Sequence, residues 1–377
     1  MDAARFIDET EKKLGTDFYT GVPDSLLKPF SDTVFARYGF SDRHKVAADE
    51  GGAVGLAAGH YLATGHPAVV YMQNSGIGNA VNPIVSLLDG RVYGIPCVFV
   101  VGWRGEPGVH DEPQHAFQGE ITLTLLRDMD IECFVIAHDT EDGEVDEYID
   151  RAAAILQEGI CVAFVVRKGG FTSSEKHRFA VSAPMTREEA IGVILEEGQG
   201  DVFVSTTGKA SREVFETREA RGEGHGCDFL TVGSMGHASM IATGIALAKN
   251  GVHVWCIDGD GAAMMHMGAM RVAAMSGADN MTHVIINNGS HESVGGMPIA
   301  GGTDFDFSAA AKVAGYGAVY RAESVDELRT AAKAARSCGK TAFIEVKAAL
   351  GARADLGRPT TTPKMNKEAL MRTLTEM

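Results

Sequence analysis

Short apolar runs alternate along the chain with longer segments in which apolar residues recur at helical spacing. A short apolar run is typical of a strand buried on both faces, and the longer segments are typical of amphipathic helices. The strands expected in the first half are DFYTGV, KVAA, AVVYMQ, PCVFVVG, ECFVIA and CVAFVVR. Those expected in the second half are VFVST, DFLTV, VHVWCI, HVIIN, GAVYR and AFIEV. This alternation predicts an α/β fold built on parallel sheets.

A polar segment, KGGFTSSEKHRFAVSAPMT, separates the two halves and is rich in Gly, Ser and Lys. We therefore expect one domain over residues 1–168, a linker over residues 169–186 and a second domain with a C-terminal tail over residues 187–377. The halves share a plan, because residues 55–78 and 244–261 both combine a small-residue helix, a turn, an apolar strand and a glycine-flanked polar turn. The sequence thus predicts two similar, doubly wound domains.

Charge and cysteine content narrow the range of partners. The chain has 34 Lys and Arg and 50 Asp and Glu residues, which give a formal charge of −16. Such a field repels nucleic acids and anionic membranes, so an anionic substrate would need a local basic pocket. We expect a cytoplasmic protein, because neither a signal region nor a membrane-length apolar run is visible. Six cysteines without a C-x-x-C pair indicate reduced core thiols.

The stretch CIDGDGAAMMHMG places two aspartates between glycines at the end of an apolar run. Glycine lets a ligand approach the backbone, and a helix that begins there offers unpaired N–H groups to an anion. The next expected strand ends at Asn287 and is followed by Asn288. Because neighbouring parallel strands end at the same sheet edge, Asp260 and these asparagines should lie side by side. Carboxylate, amide and carbonyl oxygens suit magnesium, which with the helix N-terminus would hold a diphosphate.

The spacing of GDG and NN resembles the cofactor motif of the thiamine diphosphate-dependent enzymes. The resemblance implies the thiamine diphosphate-binding fold, with a pyrimidine-binding first domain, a diphosphate-binding second domain and no middle domain. It assigns Mg²⁺ to Asp260, Asn288 and the carbonyl oxygen of Ser290. It also implies cofactor contacts for Ser75, Gly76, Thr207, Gly208, Gly233, Met235, Gly259, Asp260, Gly261 and Ala262. Met235 would force the cofactor into its bent shape.

Glu50 follows the expected strand KVAA and opens a helix. Taken alone, it could be a helix-start carboxylate that the helix dipole stabilises. The resemblance instead implies a catalytic glutamate that hydrogen-bonds the cofactor's pyrimidine ring, and partial burial would raise its pKa for proton exchange. Because Glu50 and Asp260 lie in different domains, the resemblance also implies a homo-oligomer, at least a dimer, with active sites at the subunit interface.

Several further segments resemble compact members of this family that decarboxylate small anionic 2-keto acids. They are GVPDSLLKPF, YMQNSGIGNAVNP, GWRGEPGVHDEPQH, NNGSHESVGG and LGRPTTTP. The implied reaction is the decarboxylation of 3-phosphonopyruvate to phosphonoacetaldehyde and CO₂ in phosphonate biosynthesis. Decarboxylation of sulfopyruvate and carboligation of 2-keto acids are the alternatives within the family, and a noncatalytic binding module is the alternative outside it.

Arg104, in the segment WRGEPG, is the candidate clamp for the phosphonate group. A guanidinium can pair two oxygens of such a group at once, which suits a dianion held by an acidic protein. The alternative is a structural salt bridge to Glu106 or Asp111, and the sequence leaves both possibilities open.

Other candidates flank these segments. Asp24, in the GVPDS turn, is a candidate catalytic group or a helix cap, and Ser25 beside it is a candidate substrate ligand. His110 and His115 bracket DEPQ, and either could protonate the intermediate left after decarboxylation, or be a surface histidine. We favour His115 for that catalytic role and place His110 with the substrate. His291, after the metal loop, is a further candidate contact of the substrate.

Overall fold

The computed structural model describes residues 1–292 and 296–377, and the chain divides into two compact units. The described parts of these units are residues 1–178 with 296–300 for unit 1, and residues 179–292 with 301–377 for unit 2. The division after Arg178 falls inside the polar segment KGGFTSSEKHRFAVSAPMT. Most of this segment forms neither helix nor strand.

Unit 1 is built on a six-stranded parallel sheet in the order β2-β1-β3-β4-β6-β5, counted over the described residues. Its strands are β1 (Tyr19–Gly21), β2 (His44–Val46), β3 (Val69–Gln73), β4 (Val98–Gly102), β5 (Glu132–Ile136) and β6 (Val162–Val166). Its helices are α1 (Ala3–Leu14), α2 (Lys28–Tyr38), α3 (Glu50–Thr64), α4 (Ile77–Pro83), α5 (Pro113–Asp128) and α6 (Asp142–Gln157).

Unit 2 is built on a second six-stranded parallel sheet, again within the described ranges, in the order β13-β14-β10-β9-β7-β8. The strands of this sheet are β7 (Val202–Ser205), β8 (Asp228–Leu230), β9 (Val254–Gly259), β10 (Met281–Asn287), β13 (Ala318–Ala322) and β14 (Ala342–Lys347). Two short strands, β11 (Ser290–His291) and β12 (Met297–Pro298), lie outside it, and β12 belongs to the residues assigned to unit 1. The helices are α7 (Arg187–Glu197), α8 (Lys209–Arg221), α9 (Ala238–Ala248), α10 (Asp260–Met265), α11 (Gly268–Met275), α12 (Phe307–Ala314), α13 (Val325–Ser337) and α14 (Pro363–Glu376). No helix among the described residues is long and apolar enough to cross a membrane.

Both faces of the unit 1 sheet are buried, which explains why its strands read as continuous apolar runs. Successive strand residues point to opposite faces. Val69 and Tyr71 therefore join a core cluster with α1, α2 and α6, whereas Val70 and Met72 join a cluster with α3, α4 and α5. Helices thus cover both faces, and the predicted doubly wound arrangement is confirmed.

The two sheets have the same strand order. Numbered from the first strand of each sheet, both read second, first, third, fourth, sixth, fifth. The candidate site residues follow the first four strands of each sheet, and these four strands adjoin one another. Because parallel strands end at a common edge, each unit collects its candidate residues at one edge of its sheet.

Candidate active site

Glu50 is the first residue of α3 and is only 5% exposed. The helix begins there because the Asp49 side chain caps it, accepting a 2.8 Å hydrogen bond from the Gly52 N–H. The Glu50 carboxylate accepts a 2.8 Å hydrogen bond from Nδ2 of Asn79. Burial raises the pKa of Glu50, and the bond from Asn79 offsets part of that rise. A buried carboxyl with a raised pKa is suited to proton exchange near neutral pH.

Gly76 makes room for this carboxylate. A Cβ atom at Gly76 would lie 2.2 Å from Oε1 of Glu50 and 2.5 Å from its Cδ, so any larger residue would displace the acid. The neighbouring Ser75 is exposed, and its hydroxyl accepts a 2.6 Å hydrogen bond from Nε2 of Gln73. Gly76 therefore has a structural role toward Glu50, and the cofactor contacts of Ser75 and Gly76 stay predictions.

Asn74 is a buried residue whose role the sequence alone does not indicate. Its Nδ2 donates to the backbone carbonyl of Arg104 and to Oγ1 of Thr122, each at 2.8 Å. Its Oδ1 accepts a 3.1 Å hydrogen bond from the Arg104 N–H. One side chain thus fixes the loop after β4. The only signal in the sequence was an asparagine directly after an apolar strand, which is also common in ordinary turns.

Arg104 forms the salt bridge to Asp111 that was one of the two alternatives. Its Nε lies 2.7 Å from Oδ2 of Asp111, and its Nη2 bonds the other carboxylate oxygen. The remaining Nη1 donates to the exposed hydroxyl of Ser25 at 3.3 Å. The hydrogen bonds from this guanidinium, together with its charge, hold the pKa of Asp111 well below its usual range. Glu106, the other suggested partner, pairs with Arg167 instead.

Asp24 lies on the turn after β1 and is 1% exposed. Its Oδ2 accepts hydrogen bonds from the N–H groups of Leu26 (3.0 Å) and Leu27 (3.3 Å), so it closes the turn that precedes α2. Its buried Oδ1 has no hydrogen-bond partner among the described residues. Burial raises the pKa of Asp24 to about 6, although the charge of Arg104 acts in the opposite direction. The carboxyl can therefore gain or lose a proton near neutral pH.

The three candidate histidines occupy different environments. His115 is buried on α5, its Nδ1 has no partner in the described part of the chain, and burial together with the charge of Arg104 lowers its pKa. His110 is exposed. His291, in unit 2, is buried, its Nδ1 likewise lacks a partner among the described residues, and burial lowers its pKa to about 4. His115 and His291 are thus mainly neutral at pH 7.

Asp260 is the first residue of α10 and is 4% exposed. Parallel pairing of β9 with β10 brings the asparagine loop beside it, as the spacing predicts. Its Oδ2 accepts from the N–H groups of Asn288 (2.8 Å) and Gly289 (2.6 Å), and its Oδ1 from that of Gly261 (2.6 Å). Burial raises its pKa to about 6 despite these bonds. No basic side chain in the described ranges pairs with it, so its charge favours a bound cation.

The two asparagines of the NN motif differ in their contacts. Asn287 donates from Nδ2 to Oε1 of Glu345 at 2.9 Å and so serves the sheet. Asn288 donates from Nδ2 to Oε2 of Glu292 at 2.9 Å, and its Oδ1 accepts a 3.2 Å hydrogen bond from the N–H of Ser290. Asp260, Asn288 and the Ser290 backbone thus lie in one connected loop system. A carboxylate, an amide oxygen and a carbonyl fit a hard cation such as Mg²⁺.

The turn between β7 and α8 contains Thr207 and Gly208. Gly208 has φ +88°, which favours glycine, and no side chain caps the N-terminus of α8 behind it. Uncapped N–H groups at a helix N-terminus suit phosphate oxygens. The Thr207 hydroxyl donates to the carbonyl of Val232 at 2.7 Å, and Nζ of Lys209 lies 2.7 Å from Oε1 of Glu292.

The remaining predicted cofactor residues lie nearby in the same unit. Gly233 and Met235 are partly exposed in the loop after β8, and Ser234 between them has a left-handed φ of +52°. Gly259 ends β9, and Ala262 is buried in α10. The helix that begins at this glycine turn, α10, has six residues.

Asp258, the other aspartate of the CIDGDG stretch, turns into the core of unit 2 and is 1% exposed. Its Oδ2 lies 3.3 Å from Nε2 of His283, whose Nδ1 is 2.8 Å from the hydroxyl of Tyr316. Cys256 lies within the same buried group. Asp258 is therefore part of an internal polar network, and Asp260 alone faces the proposed metal loop.

Two thiamine pyrophosphate domain models match the chain: the N-terminal TPP binding domain over residues 1–126 and the C-terminal TPP binding domain over residues 206–346. Phosphonopyruvate decarboxylase of Streptomyces hygroscopicus is 33% identical, with 93% of this chain and 88% of the relative covered. The chain belongs to the phosphonopyruvate decarboxylase family of thiamine diphosphate-dependent enzymes. The phosphonopyruvate decarboxylase of Streptomyces viridochromogenes is 32% identical, with 93% of this chain and 89% of that relative covered. The family assignment confirms the predicted fold and decarboxylase class.

Sulfopyruvate decarboxylase subunits are also similar to this chain, but each of those compared covers a smaller part of it. The beta subunit of Methanococcus maripaludis is 29% identical, with 44% of this chain and 84% of the subunit covered. Both kinds of relative are decarboxylases by name, so the reaction class does not depend on which of them is the better guide.

Proposed function

We propose that this enzyme decarboxylates 3-phosphonopyruvate to phosphonoacetaldehyde and CO₂ with thiamine diphosphate and Mg²⁺. The observation that supports the substrate most directly is the 93% coverage by relatives named phosphonopyruvate decarboxylase. The sulfopyruvate decarboxylase relatives are separate subunits, and the beta and alpha subunits cover 44% and 35% of this chain in the alignments with Methanococcus maripaludis and Methanothermobacter thermautotrophicus. A single chain spanning both parts therefore favours the phosphonate substrate.

Thiamine diphosphate, when bound, supplies a thiazolium ring that accepts the electron pair released as CO₂ leaves. The protein supplies the surrounding groups. We assign the Mg²⁺ to Asp260, Asn288 and the Ser290 carbonyl, since the buried Asp260 carboxylate has only backbone N–H partners among the described residues. The helix N-terminus at Gly208 would receive the far phosphate oxygens.

Glu50 would hold a proton at its buried carboxyl, beside the pyrimidine ring of the bound cofactor. Two features of unit 1 support this role. Asn79 fixes one carboxylate oxygen, and Gly76 leaves space for the other. A carboxyl held in one orientation, with a pKa raised by burial, can exchange a proton without first reorganising.

Arg104 would bind the phosphonate group. Its Nη1 is directed at Ser25, and its other donors bind Asp111. A phosphonate dianion would compete with the Asp111 carboxylate for the guanidinium and gain a charge-assisted, bidentate pair. Asp24, with a pKa of about 6, is proposed to exchange a proton near the same loop. His115, whose pKa is lowered by burial and by the charge of Arg104, is proposed as the second proton-exchanging group there. The substrate contacts of His110 and His291 belong to the proposal as well.

We propose a homodimer as the smallest working assembly, with each active site shared between subunits. The proposal follows from the division of the candidate residues between two units, each with its own sheet edge. Closed homodimers are the commonest assemblies of soluble proteins.

The reaction is tested by incubating the purified enzyme with 3-phosphonopyruvate, thiamine diphosphate and Mg²⁺ and identifying the products by ³¹P NMR and CO₂ release. We expect stoichiometric phosphonoacetaldehyde and CO₂, and none of either when the cofactor is omitted or when EDTA removes the metal. Release of CO₂ with a carbon–carbon coupled product in place of phosphonoacetaldehyde would indicate carboligation and would contradict the proposal. Consumption of substrate without CO₂ release would indicate a reaction other than decarboxylation and would contradict it as well.

A further inference from the structure

We propose that Glu292 is a positioning residue that orients the side-chain amide of Asn288 toward the bound metal. This inference rests on the proposed Mg²⁺ site and extends it to a residue that does not itself ligate the metal. The central observation is the 2.9 Å hydrogen bond from Nδ2 of Asn288 to Oε2 of Glu292.

An asparagine amide can ligate a cation only through its oxygen. A rotation of 180° about its last bond would turn the NH₂ group toward the metal instead and abolish the ligand. The Glu292 carboxylate accepts hydrogen bonds and cannot donate them, so it binds the NH₂ side and leaves Oδ1 for the loop that holds Ser290. Glu292 therefore selects the orientation in which Asn288 can ligate Mg²⁺.

Glu292 is itself firmly held. Its side chain is 9% exposed, Nη1 of Arg187 contacts its Oε2, and Nζ of Lys209 lies 2.7 Å from its Oε1. Two cations from different elements, α7 and α8, thus fix one carboxylate. Because Lys209 directly follows Gly208, the same carboxylate joins the metal loop to the turn proposed for the diphosphate.

Glu213, the second acidic partner of Arg187, offers an internal control for this assignment. Its Nε and Nη2 each lie 2.6 Å from the carboxylate of Glu213, which is 1% exposed. Glu213 and Glu292 are thus both buried partners of the same guanidinium. Of these two glutamates, only Glu292 has a described hydrogen bond with Asn288. A general loss of Arg187 pairing can therefore be separated from a loss of amide orientation.

The experiment measures the Kd of Mg²⁺ by isothermal titration calorimetry on full-length enzyme saturated with thiamine diphosphate, with thermal unfolding in parallel. Glu292→Ala should weaken Mg²⁺ binding by roughly 10- to 100-fold, the usual effect of removing an outer partner of a metal ligand. Glu292→Gln should lie between Glu292→Ala and the wild type, because its amide oxygen can still accept the Asn288 NH₂. Glu213→Ala should change the Kd by less than about threefold, since the Asn288 contact is intact.

A second variant separates orientation from packing. An aspartate at position 288 has two equivalent oxygens and needs no orienting partner, whereas a carboxylate there would be repelled by Glu292. Asn288→Asp should therefore make Mg²⁺ binding nearly independent of residue 292, so that Glu292→Ala weakens binding far less in the Asn288→Asp background than in the wild-type background. Additive effects in the double variant, or equal losses in Glu213→Ala and Glu292→Ala, would overturn the inference. Failure of the wild-type enzyme to bind Mg²⁺ would instead overturn the proposed function.

Discussion

At the scale of single residues, three buried carboxyl groups share one physical situation. Asp24, Glu50 and Asp260 each follow a strand, and burial raises the pKa of each. Their partners separate their roles. Asp24 keeps an unpartnered oxygen within the described structure, Glu50 is held by Asn79, and Asp260 is surrounded by backbone N–H groups. The first two suit proton exchange, and the third suits a cation.

The raised pKa of Asp24 predicts a pH-dependent stability. Its folded pKa of about 6 exceeds its ordinary value of 3.8, so its contribution to stability is full below pH 4 and is lost as the pH rises through 6. Asp24→Asn lacks this titration and can keep the acceptor for the turn. Between pH 4 and pH 8, the titration of Asp24 should lower the unfolding free energy of the wild type. The decrease over the same range should be about 2–3 kcal/mol smaller in Asp24→Asn. Urea unfolding at both pH values tests this, and identical pH dependence in the two proteins would contradict it.

Arg104 carries the prediction on substrate binding. Arg104→Ala should lower kcat/KM for phosphonopyruvate by about 100-fold or more, because the bidentate contact is lost and the Asp111 carboxylate is left to repel the anion. Turnover of pyruvate, which has no phosphonate, should change far less.

Arg167→Ala is a matched control for this prediction, because Arg167 pairs with Glu106, the neighbouring acid of the same loop. Steady-state kinetics of the two variants are then compared. Equal losses for phosphonopyruvate in both would show that Arg104 acts only through the loop structure.

At the scale of elements, the order of strands and helices could be predicted from the sequence. All the expected strands occur in the two sheets. They could be predicted because a parallel strand buried on both faces is a continuous run of apolar residues. The meeting of Asp260 with Asn288 was predictable for a related reason, since neighbouring parallel strands end at one edge.

Side-chain pairings between distant elements could not be predicted in this way. Asn74 contacts Arg104 from 30 residues away, and Arg187 contacts Glu292 from 105 residues away. Such contacts depend on the relative placement of loops, which carries no periodic signal in the chain. For the same reason, the sequence did not show whether Arg104 forms a structural salt bridge or binds the phosphonate group.

The turn after β3 gives a prediction for an element. Gly76→Ala should lower kcat by at least about tenfold while changing the thermal stability only modestly, because its Cβ would displace the Glu50 carboxylate from its position. Gly78→Ala is the control, since no atom lies within 4 Å of a Cβ at that position. Kinetics and melting curves of the two variants should separate them. Full activity of Gly76→Ala would show that the placement of Glu50 is not critical.

At the scale of the whole molecule, the repeated strand order places corresponding strand ends at the edge of each sheet. The two units nevertheless carry different chemistry. Unit 1 has Glu50, the acid proposed to exchange a proton, and the Arg104 loop, and unit 2 has the loop proposed to bind Mg²⁺. A cofactor bound between two subunits would need the groups of both units, so we expect activity to depend on assembly of the homodimer.

Mixing inactive variants tests that link. Glu50→Gln and Asp260→Asn should each be inactive alone, yet subunits exchanged between them should regain activity, since one site then combines intact Glu50 with intact Asp260. Random pairing in a dimer predicts roughly a quarter of wild-type activity. The measurement is the activity of variants unfolded together and refolded, with separately refolded variants as the control. No recovery in a verified mixed dimer would place both residues of a site in one chain.

The overall charge of −16 repels a dianionic substrate, so positive groups within the active site must select and bind it. Substrate selection is therefore tested most directly by kcat/KM for phosphonopyruvate, sulfopyruvate and pyruvate, measured by aldehyde formation with saturating thiamine diphosphate and Mg²⁺. We predict a kcat/KM for phosphonopyruvate that is at least about 100-fold above both others, as one well-placed charged pair requires. An equal or higher value for sulfopyruvate or pyruvate would contradict it.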